Sequence, residues 1–139
     1  MTWVAWALLS ALFAAFTAIL AKLGVEQLDP NVATAIRTSV VVVFTWIFAF
    51  VFRQPGSFAV TTHKAWLFLI LSGLGTGLSW LCYFRAFQLG PASRVAPIDK
   101  LSVALVILLS VFFLGERLTA GKIIGGALIV AGAITIAVE

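Results

Sequence analysis

The chain has 139 residues, 63% of them hydrophobic and only 10% charged, with a formal net charge of +4 and a mean hydropathy of +1.16. Soluble domains carry about a quarter charged residues, which excludes a water-soluble fold. The nine Lys and Arg residues are scattered at the ends of apolar runs, where cations sit beside a bilayer. They form no basic patch, so nucleic-acid binding is excluded as well.

The apolar runs are about 20 residues each and lack the period-two alternation of a barrel strand. In hydrocarbon only helices or closed barrels satisfy the backbone. The expected fold is therefore an all-α integral membrane protein with five transmembrane helices, over residues of about 3–21, 31–52, 65–87, 93–114 and 120–138. No tract is left over for a soluble domain. Met1-Thr2-Trp3 carries no basic n-region, so the first run reads as a retained span rather than a cleaved signal. The single cysteine, Cys82, rules out a disulfide within the chain and reads as a small buried packing residue.

In chain order, Trp3 and Trp6 suit an interfacial belt. Ala7, Ala11 and Ala15 then recur at four-residue spacing, which lets helices approach closely in lipid. A loop is expected over Lys22 to Pro30, with Asp29 as N-cap of the second helix and Pro30 in its first turn. The second segment holds Arg37, and its later half, Val40 to Phe52, is bulky and aromatic. Arg53-Gln54-Pro55-Gly56 predicts a break, with a loop continuing to Lys64. His63, the only histidine, reads as an interfacial residue of that loop. The third segment contains Gly73 and Gly77, spaced either to pack helices or to thin one beside a substrate path, then Trp80, Tyr83 and Arg85. The fourth opens with Arg94, Pro97, Asp99 and Lys100, then runs uncharged from Leu101 to Gly115. The fifth, capped by Thr119, is kept slender by Gly121, Gly125 and Gly132, as a helix–helix or intersubunit surface would be.

Threading the five segments brings every ionisable residue that enters a span in from the same leaflet. Arg37 lies seven residues past Pro30, about 10 Å into the span at 1.5 Å per residue. Asp99 and Lys100 fall at a similar depth from the same leaflet, with Arg85 and Arg94 at its edge. One half of the span region is thus an apolar plug, and the other a cationic funnel. Long Arg and Lys stems can snorkel, but the short Asp99 cannot. It pairs with Arg37, Lys100 or Arg94, or it lines a wet cavity. A charge at helix centre costs roughly 2.5–3.5 kcal/mol on insertion scales, which makes embedded ionisable residues functional candidates. Arg37, Trp80, Tyr83, Arg85, Asp99 and Lys100 are the expected substrate-binding set. The count of Lys and Arg on the two sides is nearly balanced, so insertion in both orientations stays open.

KLSVALVILLSVFFLGERLTAGKIIGGALIVAGAITIAVE resembles the closing signature of an EamA-type domain of the drug/metabolite transporter superfamily. ALLSALFAAFTAILAKLGVEQLDPNVATAIRT is similar to that family's first helix pair, and YFRAFQLGPASRVAPIDKLS to its third-to-fourth connection. The resemblance covers residues 1–139 as a single EamA-like transmembrane domain of the short five-span branch. It implies half of an inverted-repeat ten-helix plan, a multi-pass protein of a bacterial or archaeal inner membrane, and alternating-access movement of a small metabolite or drug-like solute. It also implies a homodimer, for which an antiparallel arrangement stays open, and it implies no cofactor or catalytic set. The four-span small multidrug relatives couple protons through an acid in the first helix. Here Trp3 to Ala21 has none, so such coupling would fall to Asp99.

The competing reading is a non-transporting scaffold or accessory subunit that binds a partner through its Gly and Ala stripes. A passive scaffold has no evident need of Asp99. An intramembrane enzyme has little support, because no nucleophile–base pair, metal cluster or His-bearing span is present.

Overall fold

The computed structural model describes residues 2–52 and 62–138. The expected break at Arg53-Gln54-Pro55-Gly56 lies outside them. Among the described residues the elements, in chain order, are α1 (Trp3–Val25), α2 (Pro30–Val51), α3 (His63–Leu89), α4 (Ala92–Asp99), α5 (Leu101–Leu114) and α6 (Ala120–Val138). Five stretches are long and apolar enough to cross a bilayer, with α4 and α5 counting together as one stretch, Ala92–Leu114. The shortest, α6, has 19 residues, or about 28 Å at 1.5 Å per residue, close to the hydrocarbon thickness. The protein is all-α and membrane-spanning.

Helix ends differ from the sequence expectation in ways that local chemistry explains. α1 runs on through Lys22 to Val25, since nothing in Lys22-Leu23-Gly24-Val25 stops it. α2 starts at Pro30, whose missing N–H would be unpaired there anyway. Asp29 caps it, with Oδ1 accepting the N–H of Asn31 at 2.9 Å and of Val32 at 3.2 Å. His63 belongs to the first turn of α3 rather than to a loop. The Thr62 hydroxyl accepts the Ala65 N–H at 3.3 Å, which starts α3 two residues earlier than the apolar pattern suggests.

The fourth segment is not one continuous helix. Pro97 sits inside α4, where it cannot donate to the Ser93 carbonyl. Regular helix stops at Asp99 and resumes at Leu101. Across the break, Lys100 N–H donates to the Pro97 carbonyl and Val103 N–H to that of Lys100, both at 3.0 Å. These are tighter i to i−3 bonds. The charged pair of the segment therefore occupies a joint between two helices.

The chain forms two compact units, Met1–Lys22 with Leu89–Glu139, and Leu23–Gln88. In the first, α4 and α5 both pack on α6. α6 comes close at Gly126, where a Cβ would stand 3.4 Å from Ile107 Cδ1. In the second unit Val25, Ala33, Thr34, Phe84 and Phe87 are buried, Val25 and Phe87 completely. Most other large apolar side chains are exposed, Phe112 and Phe113 at 81% and 82%. Such a surface suits lipid, which is as apolar as the side chains it covers. Cys82, expected to be buried, is exposed, since few side chains of a single membrane chain have protein around them.

α5 ends at Gly115, which has φ 66°, the left-handed conformation that a Cβ disfavours. The Ser110 carbonyl accepts the N–H of both Gly115 and Glu116. Glu116 Oε2 then accepts a 2.7 Å hydrogen bond from Lys122 Nζ, and this contact holds the Glu116 carboxyl below its ordinary value. Both side chains are well exposed, so the pair adds little to stability.

Gly115→Ala should lower unfolding stability in detergent by about 1–2 kcal/mol, the cost of a left-handed non-glycine residue, read from denaturant titration. A depressed carboxyl favours the folded state above the unfolded pKa and loses that contribution as pH falls through the folded pKa. Lys122→Met should therefore raise the Glu116 titration midpoint towards the ordinary value, followed by carbon-13 NMR of the carboxyl.

Candidate functional site

α2 brings one polar stripe into protein contact. Pro30, Ala33 and Thr34 are its buried residues, and Arg37 continues the same face at i, i+3, i+4, i+7 spacing. Small residues at Ala33 and Thr34 leave room for a neighbouring helix. Hydroxyls along α2 are returned to the backbone: Thr34 Oγ1 donates to the Pro30 carbonyl and Thr38 Oγ1 to the Thr34 carbonyl, both at 2.7 Å. Ser39 and Thr45 do the same at 3.0 and 2.8 Å. Such bonds satisfy a hydroxyl where water is absent.

Arg37 is the exception on this face. Its guanidinium carbon lies 4.3 Å from the centre of the Trp80 ring and 5.5 Å from that of Phe84. On α3 those two rings share a face with Tyr83 and Phe87, again at i, i+3, i+4, i+7 spacing, and the Tyr83 and Phe87 ring centres are 4.3 Å apart. Cation–π contact of this kind is worth about 0.5–1 kcal/mol when exposed and about 2 kcal/mol when desolvated. It uses none of the N–H donors. Nη1 of Arg37 is buried and has no hydrogen-bond partner among the described residues. Beside this seam runs a groove of about 660 Å³, bounded by Asn31, Thr34, Thr38 and Ser39 of α2 and by Gly77 and Leu81 of α3.

The other expected site residues are occupied differently. Arg85 is exposed and donates from Nη1 to Gln88 Oε1 at 2.9 Å. Gln88 Nε2 in turn donates to the carbonyls of Leu28 at 2.8 Å and Val25 at 3.3 Å. Arg85 thus orients a glutamine that fastens the end of α3 to the α1–α2 turn. Asp99 Oδ2 accepts from Lys100 Nζ at 3.0 Å, with both side chains partly exposed. Of the alternatives for Asp99, its sequence neighbour is the partner observed. The structure therefore joins Arg37 to Trp80 in one unit and Asp99 to Lys100 in the other.

Gln88 and Phe84 were not singled out by sequence. Phe84 was findable, because it lies four residues from Trp80 and so one helical turn along the same face. Gln88 carries no such signal beyond its place three residues after Arg85.

Among the expected packing glycines, Gly73, Gly77, Gly121, Gly125 and Gly132 have no atom within 4 Å of where a Cβ would stand. No group of three His, Cys, Asp or Glu residues able to hold a metal ion occurs among the described residues.

Five apolar spans, with a cation set among aromatic rings inside one of them, define a polytopic membrane protein. Residues 1–138 match the EamA-like transporter family, and the chain belongs to it. It is 49% identical over 140 residues to a protein of a Sinorhizobium species named as an uncharacterized transporter in the cobO 3' region, a match spanning 99% of this chain and 97% of that one. It is 31% identical over 130 residues to the uncharacterized transporter YxxF of Bacillus subtilis, covering 93% of this chain and 40% of that longer relative. An uncharacterized protein of Methanocaldococcus jannaschii is 31% identical over 80 residues, 58% of each chain. No solved structure matches. The chain is a multi-pass membrane transporter.

Replacing Gln88 with Leu should cost about 1–3 kcal/mol by leaving the Val25 and Leu28 carbonyls without their donor. Arg85→Ala should cost under about 1 kcal/mol, because it removes only an exposed contact. Thermal unfolding of the two variants side by side in neutral detergent measures the difference.

Proposed function

We propose that this protein is a secondary transporter that moves a small solute across the cell membrane by alternating access, working as a dimer of five-span chains. The observation that carries the reading is Arg37, a cation kept inside a span of a family transporter against Trp80 and Phe84. A charge at that depth is costly unless it serves binding. Tyr83 and Trp80 serve as walls of the substrate site around Arg37. Arg85 supports that site through Gln88. Asp99 and Lys100 form an exchangeable ion pair at the α4–α5 joint, and Asp99 is the carboxylate on which proton coupling would act.

Dimerisation has separate support. Gly73 with Gly77 and Gly121 with Gly125 are small-residue pairs with room left at each for a further side chain, and pairs of this spacing drive helix association in lipid. A five-span chain paired with a second copy gives the ten-helix plan of inverted-repeat carriers. The same open faces would also serve a scaffold, which would move no solute and would tolerate Asp99→Asn without change.

Reconstitution of the purified protein into liposomes separates the two. Solute counterflow above protein-free vesicles, lowered about tenfold by Asp99→Asn if the pair is part of the cycle, is the transporter outcome. Absence of counterflow for every solute class with folded protein favours the scaffold. Paired reporters fused after Glu139 complete the test, since activity on both sides of the membrane marks an antiparallel dimer and activity on one side excludes it.

A further inference from the structure

Among the described residues, Arg37 carries a buried side-chain nitrogen that no acceptor answers. Its Nη1 is buried without an acceptor, whereas the Asp29 carboxylate and the hydroxyls of Thr34, Thr38 and Ser39 are all engaged. α2 and α3 contain no Asp or Glu. Asp99, the acid found inside a described span, already holds Lys100 at 3.0 Å. Contact with Trp80 and Phe84 fixes where the guanidinium sits while leaving its donors unused. Hydrocarbon offers nothing to those donors, and a buried donor on a charged group is costly to leave unpaired.

We infer that Arg37 is the receptor for a carboxylate carried by the transported solute, so that the substrates are small monocarboxylates or amino-acid zwitterions rather than cationic or neutral compounds. The inference rests on the transporter reading above and narrows its substrate class. A guanidinium presents a planar fork of donors that matches the two oxygens of a carboxylate. One arginine balances one negative charge. Arg85 is turned to Gln88 at 2.9 Å rather than to the Arg37 seam, so a doubly charged phosphate ester would meet a single cation beside Trp80 and Phe84. An anionic lipid phosphodiester has the same single charge. Arg37, however, lies about 10 Å below the start of its helix at Pro30, deeper than lipid headgroups sit.

The test uses the full chain in liposomes of phosphatidylcholine alone. Counterflow is measured for labelled aliphatic monocarboxylates and neutral amino acids, for the amides of the same compounds, and for a quaternary ammonium ion. The carboxylates should exchange while the amides and the cation stay at the protein-free level. Arg37→Gln should cut exchange about tenfold or more, and Arg37→Lys, which keeps the charge but loses the fork, should fall between. Exchange of amide or cation unaffected by Arg37→Gln overturns the carboxylate assignment and leaves the transporter reading standing. No exchange of any probe overturns both.

Thermal stability in neutral detergent guards against a misfolded variant and against a lipid site. Benzoate should raise the midpoint of the wild type and not of Arg37→Gln, provided the two variants unfold at similar temperatures without ligand. A rise produced by phosphatidylglycerol and not by benzoate assigns the arginine to a lipid headgroup and overturns the inference.

Discussion

Inside a bilayer there is no water to complete a hydrogen bond, and this constraint decides nearly every polar placement in the chain. Backbone groups are consumed by helices of 19 to 27 residues at four of the five spans. Hydroxyls on α2 fold back onto carbonyls one turn earlier. Side chains that cannot satisfy themselves are moved to ends and joints. Asp29 works at a helix start, Gln88 at a helix finish, and Asp99 with Lys100 at the break between α4 and α5. Against that pattern a mid-helix arginine with an unanswered nitrogen is a departure, and departures in hydrocarbon are where function is found.

The division of the chain follows the same logic. Apolar side chains gain little by meeting each other when lipid is an equal partner, so few are buried and the exposed ones are large. What packs is a short list: Gly126 against Ile107 in the first unit, and Val25 with the Phe84 and Phe87 neighbourhood in the second. Specific order in each unit therefore depends on a handful of contacts rather than on a broad core.

How much of this could be read beforehand depended on range. The spans were legible because hydropathy is a property of consecutive residues, and the start of α2 was legible because Asp29 and Pro30 act on their own helix. Arg37 and Trp80 were each visible as unusual residues. Their meeting was not, since nothing local encodes the register of two helices 43 positions apart in the chain, from residue 37 to residue 80. The α4–α5 joint was half legible: a proline inside a helix removes one backbone donor, here at Pro97, while the interruption itself falls at Lys100. The contact of Arg85 was hidden for a related reason. A cation near a helix end looks like a ligand contact until the glutamine one turn later is seen to hold it. The glycine pairs were legible as spacing only, because a small residue leaves space at its position without naming what fills it.

Gln88 gives the second unit a mechanical property. Its single amide nitrogen grips two carbonyls of the α1–α2 turn, so α3 cannot slip past that turn by a helical step of about 5.4 Å without breaking both bonds at once. Motions of the unit are thereby restricted to those that carry the turn along with α3. The glutamine acts as a latch that converts a sliding contact into a pivot.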